Sequence, residues 1–473
     1  MAVKFGTSGL RGLSVDLVGS VSALYATAFA RFLKAKINAE AGSIVLIGQD
    51  FRPSSPEIAA TCMAALKREG FHPVDCGAIP TPALALYGSR IGAASMMVTG
   101  SHIPADRNGI KFYRPDGEID KADEEAITGF AAALVTDESA NSVEHASCED
   151  RSAEATALFL ARNKALLAPG RLAGLRIGVY QHSSVARDLL VTILDHYGAE
   201  TVPLGRSERF VPVDTEAVAP ETAQMLAAWT REHRLDAIVS TDGDADRPLV
   251  ADETGSPLRG DLLGLIVAKL LGADVIVTPV TSNSGLEAAS GLDVRRTKVG
   301  SPYVIAAMNA ALSEGKTAVV GFEANGGFML GSDVAIGGRT LAALPTRDCL
   351  LPILAALDAA AAGRPMSTVV AEHALPVALS DRLENYPLEK SSALMAHLRA
   401  DREQLAAFLA PVGEVRAITD IDGLRVTLED GQVIHFRPSG NAPEMRCYVE
   451  AADADLAAQT LREGLGLLEN WGA

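Results

Sequence analysis

Apolar residues along the chain fall into two recurring rhythms. The run "SIVLIGQD" (43–50) is continuous and short, as suits a strand buried on both faces. It is followed by "SSPEIAATCMAALKREG", where Ile58, Cys62 and Leu66 recur every four residues and stack on one helix face. The start signal is Ser54, Pro56 and Glu57, and the stop is Gly70. A second copy pairs "LRIGVYQH" (175–182) with "SSVARDLLVTILDHYG", in which Val185, Leu189, Ile193 and Tyr197 repeat the spacing up to Gly198. A third joins "DVIVTPVTSN" (274–283) to the short "SGLEAAS" and the strand-like "DVRRTKVG". Three strand–turn–helix–strand units predict three related α/β domains.

The last hundred residues read differently. A long helical pattern over 388–410 precedes "EVRAITDIDGLRVTLEDGQVIHFRPS", whose Asp-Gly pairs at 422–423 and 430–431 are hairpin signals. The alternating "MRCYVEA" and a closing helix complete an α+β unit. The expected division is 1–148, 149–254, 255–370 and 371–473, with "AAAAGRPMS" (359–367) as the clearest linker. At 473 residues the chain is too long for a single core, which agrees with several domains.

The formal net charge of −17 argues against a general attraction to nucleic acid or anionic membrane, so neither is expected as a partner. An anionic substrate would need its cations concentrated locally. No apolar stretch reaches the length of a membrane span and the opening lacks a secretory pattern, so a cytoplasmic address is expected. The five cysteines are scattered without a C-x-x-C pair, which speaks for buried thiols over disulfides or a thiolate zinc site.

Four stretches carry candidate chemistry. In "VTGSHIPADRNGIKF" (98–112) adjacent Ser101 and His102 do not suit a Ser-His-Asp hydrolase and no G-x-S-x-G elbow surrounds them; a reactive hydroxyl and a plain turn serine both remain open. In "IVSTDGDADRP" (238–248) a strand delivers Asp242, Asp244 and Asp246 at alternate positions, so three carboxylates can converge on one hard cation, with Mg²⁺ expected and a solvated acidic turn as the alternative. An EF-hand is disfavoured despite Glu253 at its twelfth position, because Arg247 stands where its glycine belongs, Pro248 follows and a strand leads in. A hydroxyl and a metal together point to phosphoryl transfer. The loop "VGFEANGGFMLG" (320–331) projects Glu323 and Asn325, suited to hydroxyl recognition or simply to an exposed turn. The loop "FRPSGNAPEMR" (436–446) offers Arg437, Ser439, Gly440 and Asn441, the ingredients of a phosphate cradle or of a hairpin connection.

In this order and with the opening "FGTSGLRG", the four stretches resemble the phosphoserine, metal, sugar and phosphate loops of the α-D-phosphohexomutase family, the phosphomannomutases and phosphoglucomutases, over essentially the entire chain. The resemblance implies three similar α/β domains with mixed sheets around a cleft plus a smaller C-terminal α+β domain. It implies Ser101 as the phosphoserine, with Asp242, Asp244, Asp246 and a phosphoserine oxygen holding Mg²⁺. Arg247 would place the transferring phosphoryl group, and Arg11, His102 and Lys111 would surround the reacting hydroxyl, with His102 or Lys111 assisting proton transfer. Lys298 would face the substrate, Glu323 and Asn325 would bind sugar hydroxyls, and Arg437, Ser439, Gly440 and Asn441 would grip the phosphate not in transfer. The implied reaction interconverts mannose 6-phosphate and mannose 1-phosphate through a hexose 1,6-bisphosphate intermediate and activator, with glucose phosphates as further substrates. Phosphoglucomutase and phosphoglucosamine mutase are the neighbouring alternatives, and a metal-dependent sugar phosphatase or a sugar-phosphate-binding regulator the distant ones. The oligomeric state is not expressed in the sequence. The chain departs from the family pattern at Ile103, where asparagine is frequent, at Ala245, where glycine is common, in "EANGG", which replaces an "EMSGH"-type loop, and at Asn441-Ala442 in place of Thr-Glu. None of these removes a charge the chemistry needs.

Overall fold

A computed structural model describes residues 3–6, 9–439 and 443–472. Each of the three units is built around a strand that takes a parallel neighbour on both sides. Ile44–Gln49 lies between His72–Ala78 and Ala94–Val98. Arg176–Tyr180 lies between Glu200–Leu204 and Ala237–Thr241. Val275–Pro279 lies between Asp293–Thr297 and Val319–Phe322. A fourth, antiparallel strand then returns beside the third: Arg107–Arg114, Pro248–Ala251 and Phe328–Leu330 respectively. The mixed sheets are thus built on one strand order, and the connection from third to fourth strand is the same structural position three times. Those connections are 99–106, 242–247 and 323–327, three of the four candidate stretches.

The first sheet is extended by an N-terminal hairpin. Leu10–Leu13 pairs antiparallel with Arg107–Arg114 and sets Arg11 opposite Gly109, where a Cβ would lie 2.8 Å from the Cδ of Arg11. The C-terminal unit is a five-stranded antiparallel sheet in the order Val377–Leu383, Met445–Ala451, Val433–Pro438, Leu424–Leu428, Val415–Thr419. Gly423 and Gly431, at φ +83° and +90°, make the two hairpin turns that the Asp-Gly pairs signalled. The closing helix is Ala454–Asn470.

Local chemistry shifts three elements from their expected form. The second unit's helix begins only at Arg187, because the preceding serines serve the loop: Ser184 Oγ lies 2.6 Å from Thr241 Oγ1 and accepts from the Ala186 N–H, while Ser183 Oγ accepts from Val211 N–H. Val185 is buried just ahead of that helix. The pattern over 388–410 is two helices, Leu388–Ala400 and Arg402–Leu409, since Asp401 is extended and its carboxylate caps the second by accepting from Glu403 N–H. The stretch 359–367 leads from the end of Leu350–Ala360 into Met366–Ala371, whose Met366 and Val369 are buried against the third unit.

One apolar core runs without a break from Leu46 and Tyr113 of the first unit through Val179 and Val239 of the second to Leu263 and Leu354 of the third. The C-terminal sheet encloses its own core around Leu394, Phe436 and Cys447. Its links to the third unit include polar ones, Val299 N–H donating to Asp422 Oδ2 at 2.9 Å and Ser284 donating to Glu450. Among the described residues no helix is long and apolar enough to cross a membrane, and all five cysteines are free thiols.

Candidate active site

Ser101 sits at the start of its connection in a left-handed backbone conformation, φ +54°, which a residue with a Cβ adopts only when its surroundings enforce it. Arg52 does the enforcing. Its guanidinium is fully buried and donates to four carbonyls of the loop: Ser101 at 2.9 Å, Ile103 at 2.6 Å, Pro104 at 2.7 Å and Arg107 at 2.8 Å. Its Nε faces Asp50 Oδ2 at 3.2 Å. Asp50 also accepts from Thr99 Oγ1 and Ser55 Oγ, and Thr99 Oγ1 accepts from the Ser101 N–H at 2.8 Å. Gly100 is required here, since a Cβ would fall 2.5 Å from the Arg52 Cζ. The second unit closes over the arrangement by placing the Phe210 ring 4.0 Å from the same guanidinium.

The aspartate loop meets Ser101 head on. Ser101 Oγ donates to Asp242 Oδ2 at 2.5 Å, and the Asp242 Oδ1 accepts from the backbone of Asp246 and Arg247. Gly243 permits this approach, because a Cβ would lie 3.0 Å from the Ser101 carbonyl oxygen and 2.9 Å from the Phe210 ring. Ala245 is left-handed at φ +56°, which accounts for the glycine common at this place. The three carboxylates are buried and offer one oxygen each within 4.8 Å of one another. Asp244 Oδ1 and Asp246 Oδ1 are buried without a hydrogen-bond partner, as oxygens awaiting a cation would be. The donor set, three hard carboxylates beside a serine hydroxyl, fits a divalent metal of the Mg²⁺ type.

Charge in the site is closely balanced. Lys111 donates to Asp244 Oδ2 at 2.6 Å and to Asp246 Oδ2, and Thr81 Oγ1 donates to Asp244 Oδ2 at 2.5 Å. Burial, reinforced by repulsion from Asp244 and Asp246, raises the Asp242 carboxyl well above the usual range. Burial works the same way on Asp246, but Arg347, Lys111 and Arg247 overcome it and hold that carboxyl well below the usual range. Burial and the neighbouring Arg247 push His102 down to about 3, so its imidazole is neutral, with Nδ1 3.3 Å from Ser101 Oγ. Arg11 is lowered to about 10 by burial despite the attraction of Asp244, with Arg52, Arg247 and Arg347 adding to the depression. It reaches the Thr99 carbonyl at 3.5 Å. The cations demanded by an acidic protein with an anionic substrate are therefore gathered at one place.

The third connection brings Glu323 and Asn325 to the same cleft, both buried. Asn325 Oδ1 accepts from the Gly327 N–H within its own turn, and the Asn325 carbonyl accepts from Thr215 of the second unit. Glu323 Oε2 lies 3.2 Å from Arg347 Nη1. Lys298 is not drawn into the Ser101 cluster: it is exposed, with Nζ 5.9 Å from the Tyr303 ring centroid. Its neighbour Val299 touches Asp422, which also pairs with Arg437 at 3.0 Å from Nε. Ser439 is buried, its N–H donating to the Glu444 carbonyl at 2.9 Å. Gly440 and Asn441 lie outside the described residues. Sequence reasoning missed Arg52, Thr81 and Arg347. The only local sign of the first is a charged pair, Asp50 and Arg52, immediately after a buried strand; Thr81 and Arg347 carry no sign at all.

Family models of the phosphoglucomutase/phosphomannomutase domains match in sequence: α/β/α domain I over 2–136, domain II over 159–255, domain III over 259–376 and the C-terminal domain over 388–463. The chain belongs to the phosphoglucomutase/phosphomannomutase family and is a phosphohexomutase of the isomerase class. Within the family it is 61% identical over 471 residues to a phosphomannomutase of Sinorhizobium fredii, covering 99% of both chains. It is 43% identical over 451 residues to a phosphomannomutase of Salmonella muenchen, covering 95% of this chain and 92% of that one. A phosphoglucomutase/phosphomannomutase family protein from Burkholderia thailandensis shares the fold, with a TM-score of 0.75 at 21% identity, covering 99% of this chain and 98% of that one.

Proposed function

We propose that the protein is a phosphomannomutase, interconverting mannose 6-phosphate and mannose 1-phosphate through a phosphoserine at Ser101, in the cytoplasm, and acting also on glucose phosphates. The observation that carries this reading is the 2.5 Å contact from Ser101 Oγ to Asp242, inside a buried cluster of three carboxylates and ringed by Arg11, Lys111 and Arg247.

In the first transfer the bond from Ser101 Oγ to phosphorus breaks as a bond forms from phosphorus to the free hydroxyl of the hexose phosphate, giving a 1,6-bisphosphate. The proton of that hydroxyl leaves as Oγ is freed. Neutral His102, 3.3 Å from Oγ, is placed to hold a proton at Nδ1, and Lys111 Nζ to donate one from between Asp244 and Asp246. Asp242, Asp244 and Asp246, with a phosphoserine oxygen, would hold Mg²⁺, which would supply positive charge against the transferring phosphoryl group. Arg247 and Arg11 orient and stabilise the same charge from the protein side. The intermediate turns over, Arg437, Ser439, Gly440 and Asn441 grip whichever phosphate is distal, and the other returns to Ser101. Lys298, on the rim beside Val299, meets the substrate as the fourth domain closes and excludes water.

Identity of 61% over 471 residues to a phosphomannomutase, against 32% over 320 residues to a phosphoglucosamine mutase, is what favours mannose over glucosamine phosphate. The reading is tested by a coupled assay of mannose, glucose and glucosamine 1-phosphates with catalytic hexose 1,6-bisphosphate, alongside intact-mass analysis. Mannose 1-phosphate should turn over and one phosphate should appear on the wild type and none on Ser101→Ala. Turnover by Ser101→Ala, or glucosamine 1-phosphate as the preferred substrate, would overturn it.

A further inference from the structure

Arg347 belongs to none of the four stretches, yet it lies where two of them meet. It is carried by Leu344–Asp348, whose pairing with Phe328–Leu330 sets Asp348 opposite Phe328 and so runs the Arg347 side chain beneath the turn 323–327. The stem passes where most residues would block it: a Cβ on Gly327 would be 2.4 Å from the Arg347 Cδ and 2.7 Å from its Cγ. Beyond that point the buried guanidinium spans two domains. Its Nη1 is 3.2 Å from Glu323 Oε2 in the third domain, and its Nε is 3.1 Å from Asp246 Oδ2 in the second. The strand itself is pinned to the first domain, since Glu118 accepts from Thr346 Oγ1 at 2.8 Å and from Ser301 Oγ at 2.7 Å.

A planar fork can face two carboxylates at once, whereas an ammonium on a flexible stem holds one or the other. The "EANGG" departure acquires a physical reason as well. Gly327 makes room for an arginine arriving from a different strand, so the loop and the arginine form one device.

We propose that Arg347 is a positioning residue that couples the hydroxyl-reading Glu323 to the aspartate loop, so that sugar recognition and the reacting centre share one rigid support. This rests on the reading of Glu323 as a ligand of the sugar hydroxyls. A carboxylate already ordered by Arg347 loses little freedom when a sugar binds, and its orientation relative to Ser101 is set before the substrate arrives.

The test compares mannose 1-phosphate with its 3-deoxy and 4-deoxy analogues, first by titration calorimetry on the dephosphorylated, metal-free protein and then by kcat/KM. The wild type should disfavour at least one deoxy analogue by about tenfold or more. In Arg347→Gln that preference should fall to within about twofold, as it should in Glu323→Gln, and the double variant should be no worse than the weaker single by more than about threefold. Gly327→Ala, which keeps the charge but displaces the stem, should reproduce the loss, and Arg347→Lys should recover only part of the preference. Thermal melts on all variants separate misfolding from misplacement. A wild-type preference retained in Arg347→Gln, or losses that multiply in the double variant, would overturn the coupling. A wild type that turns over mannose 1-phosphate but ignores both hydroxyls would instead overturn the role of Glu323.

Discussion

Ser101 shows how a residue can be chosen against its own backbone. A left-handed φ of +54° favours glycine, yet a serine stands there, as the proposed phosphoserine role requires. Ser101→Gly should therefore abolish phosphoserine formation while being more stable than Ser101→Ala by roughly 1 kcal/mol, the strain a Cβ carries at such a φ. Urea unfolding of the two variants decides it, and equal midpoints would mean that Arg52 and Thr99 relieve the strain in some other way. At this scale the sequence was most legible where chemistry is written in adjacent letters. Asp242, Asp244 and Asp246 announce a cation by alternation alone, and the structure puts all three in one cluster. Ala245 is a different matter: its departure from glycine was visible, but the reason, a left-handed turn, is a property of φ that no neighbouring residue encodes.

The elements that bear the loops explain why the loops hold still. The connection carrying Ser101 has no ladder of its own, and Arg52 holds its carbonyls by donating four hydrogen bonds from two terminal nitrogens. Arg52→Lys keeps the charge near Asp50 but cannot reach four acceptors. It should cost about 2 kcal/mol, as leaving buried acceptors without their donors does, and should lower kcat more than it raises KM. Denaturant unfolding and steady-state kinetics on one preparation check both parts. A stable variant with slow turnover would assign Arg52 to the chemistry instead of the scaffold. The strands were legible as apolar runs because burial on both faces leaves no polar alternation to obscure them. The late start of the helix at Arg187 was not, since Ser183 and Ser184 read as helix-start residues while spending their hydroxyls on the loop. Arg347 was silent, and Arg52 nearly so, for a related reason: apart from Asp50, their partners lie far along the chain or in other domains.

At the scale of the molecule, three repeats converge so that one equivalent connection from each meets at a common cleft; the family resemblance implied the cleft, but not that the three motifs occupy one equivalent position in each repeat. The fourth domain is joined to the third through Asp422, whose two oxygens are divided between Val299 N–H and Arg437. That carboxylate tethers the domain and occupies the guanidinium that the proposed mechanism assigns to phosphate. Asp422→Ala should release the tether, expanding the substrate-free protein in small-angle scattering, and mannose 1-phosphate should restore compaction by bridging Arg437 to the rest of the cleft. Identical scattering profiles for wild type and variant without sugar phosphate would show that other contacts, such as Ser284 with Glu450, carry the closure.

The apolar core that runs through the first three domains, beside smaller clusters within each, has a calorimetric consequence. Domains that bury one another's side chains melt together, so those three should give one endotherm despite their separate sheets. The fourth domain, with a core of its own around Phe436, should give another, of roughly 70 kcal/mol if it follows the usual enthalpy of about 0.7 kcal/mol per residue near 60 °C. Saturating sugar phosphate, if held by both parts as proposed, should draw the two peaks toward one.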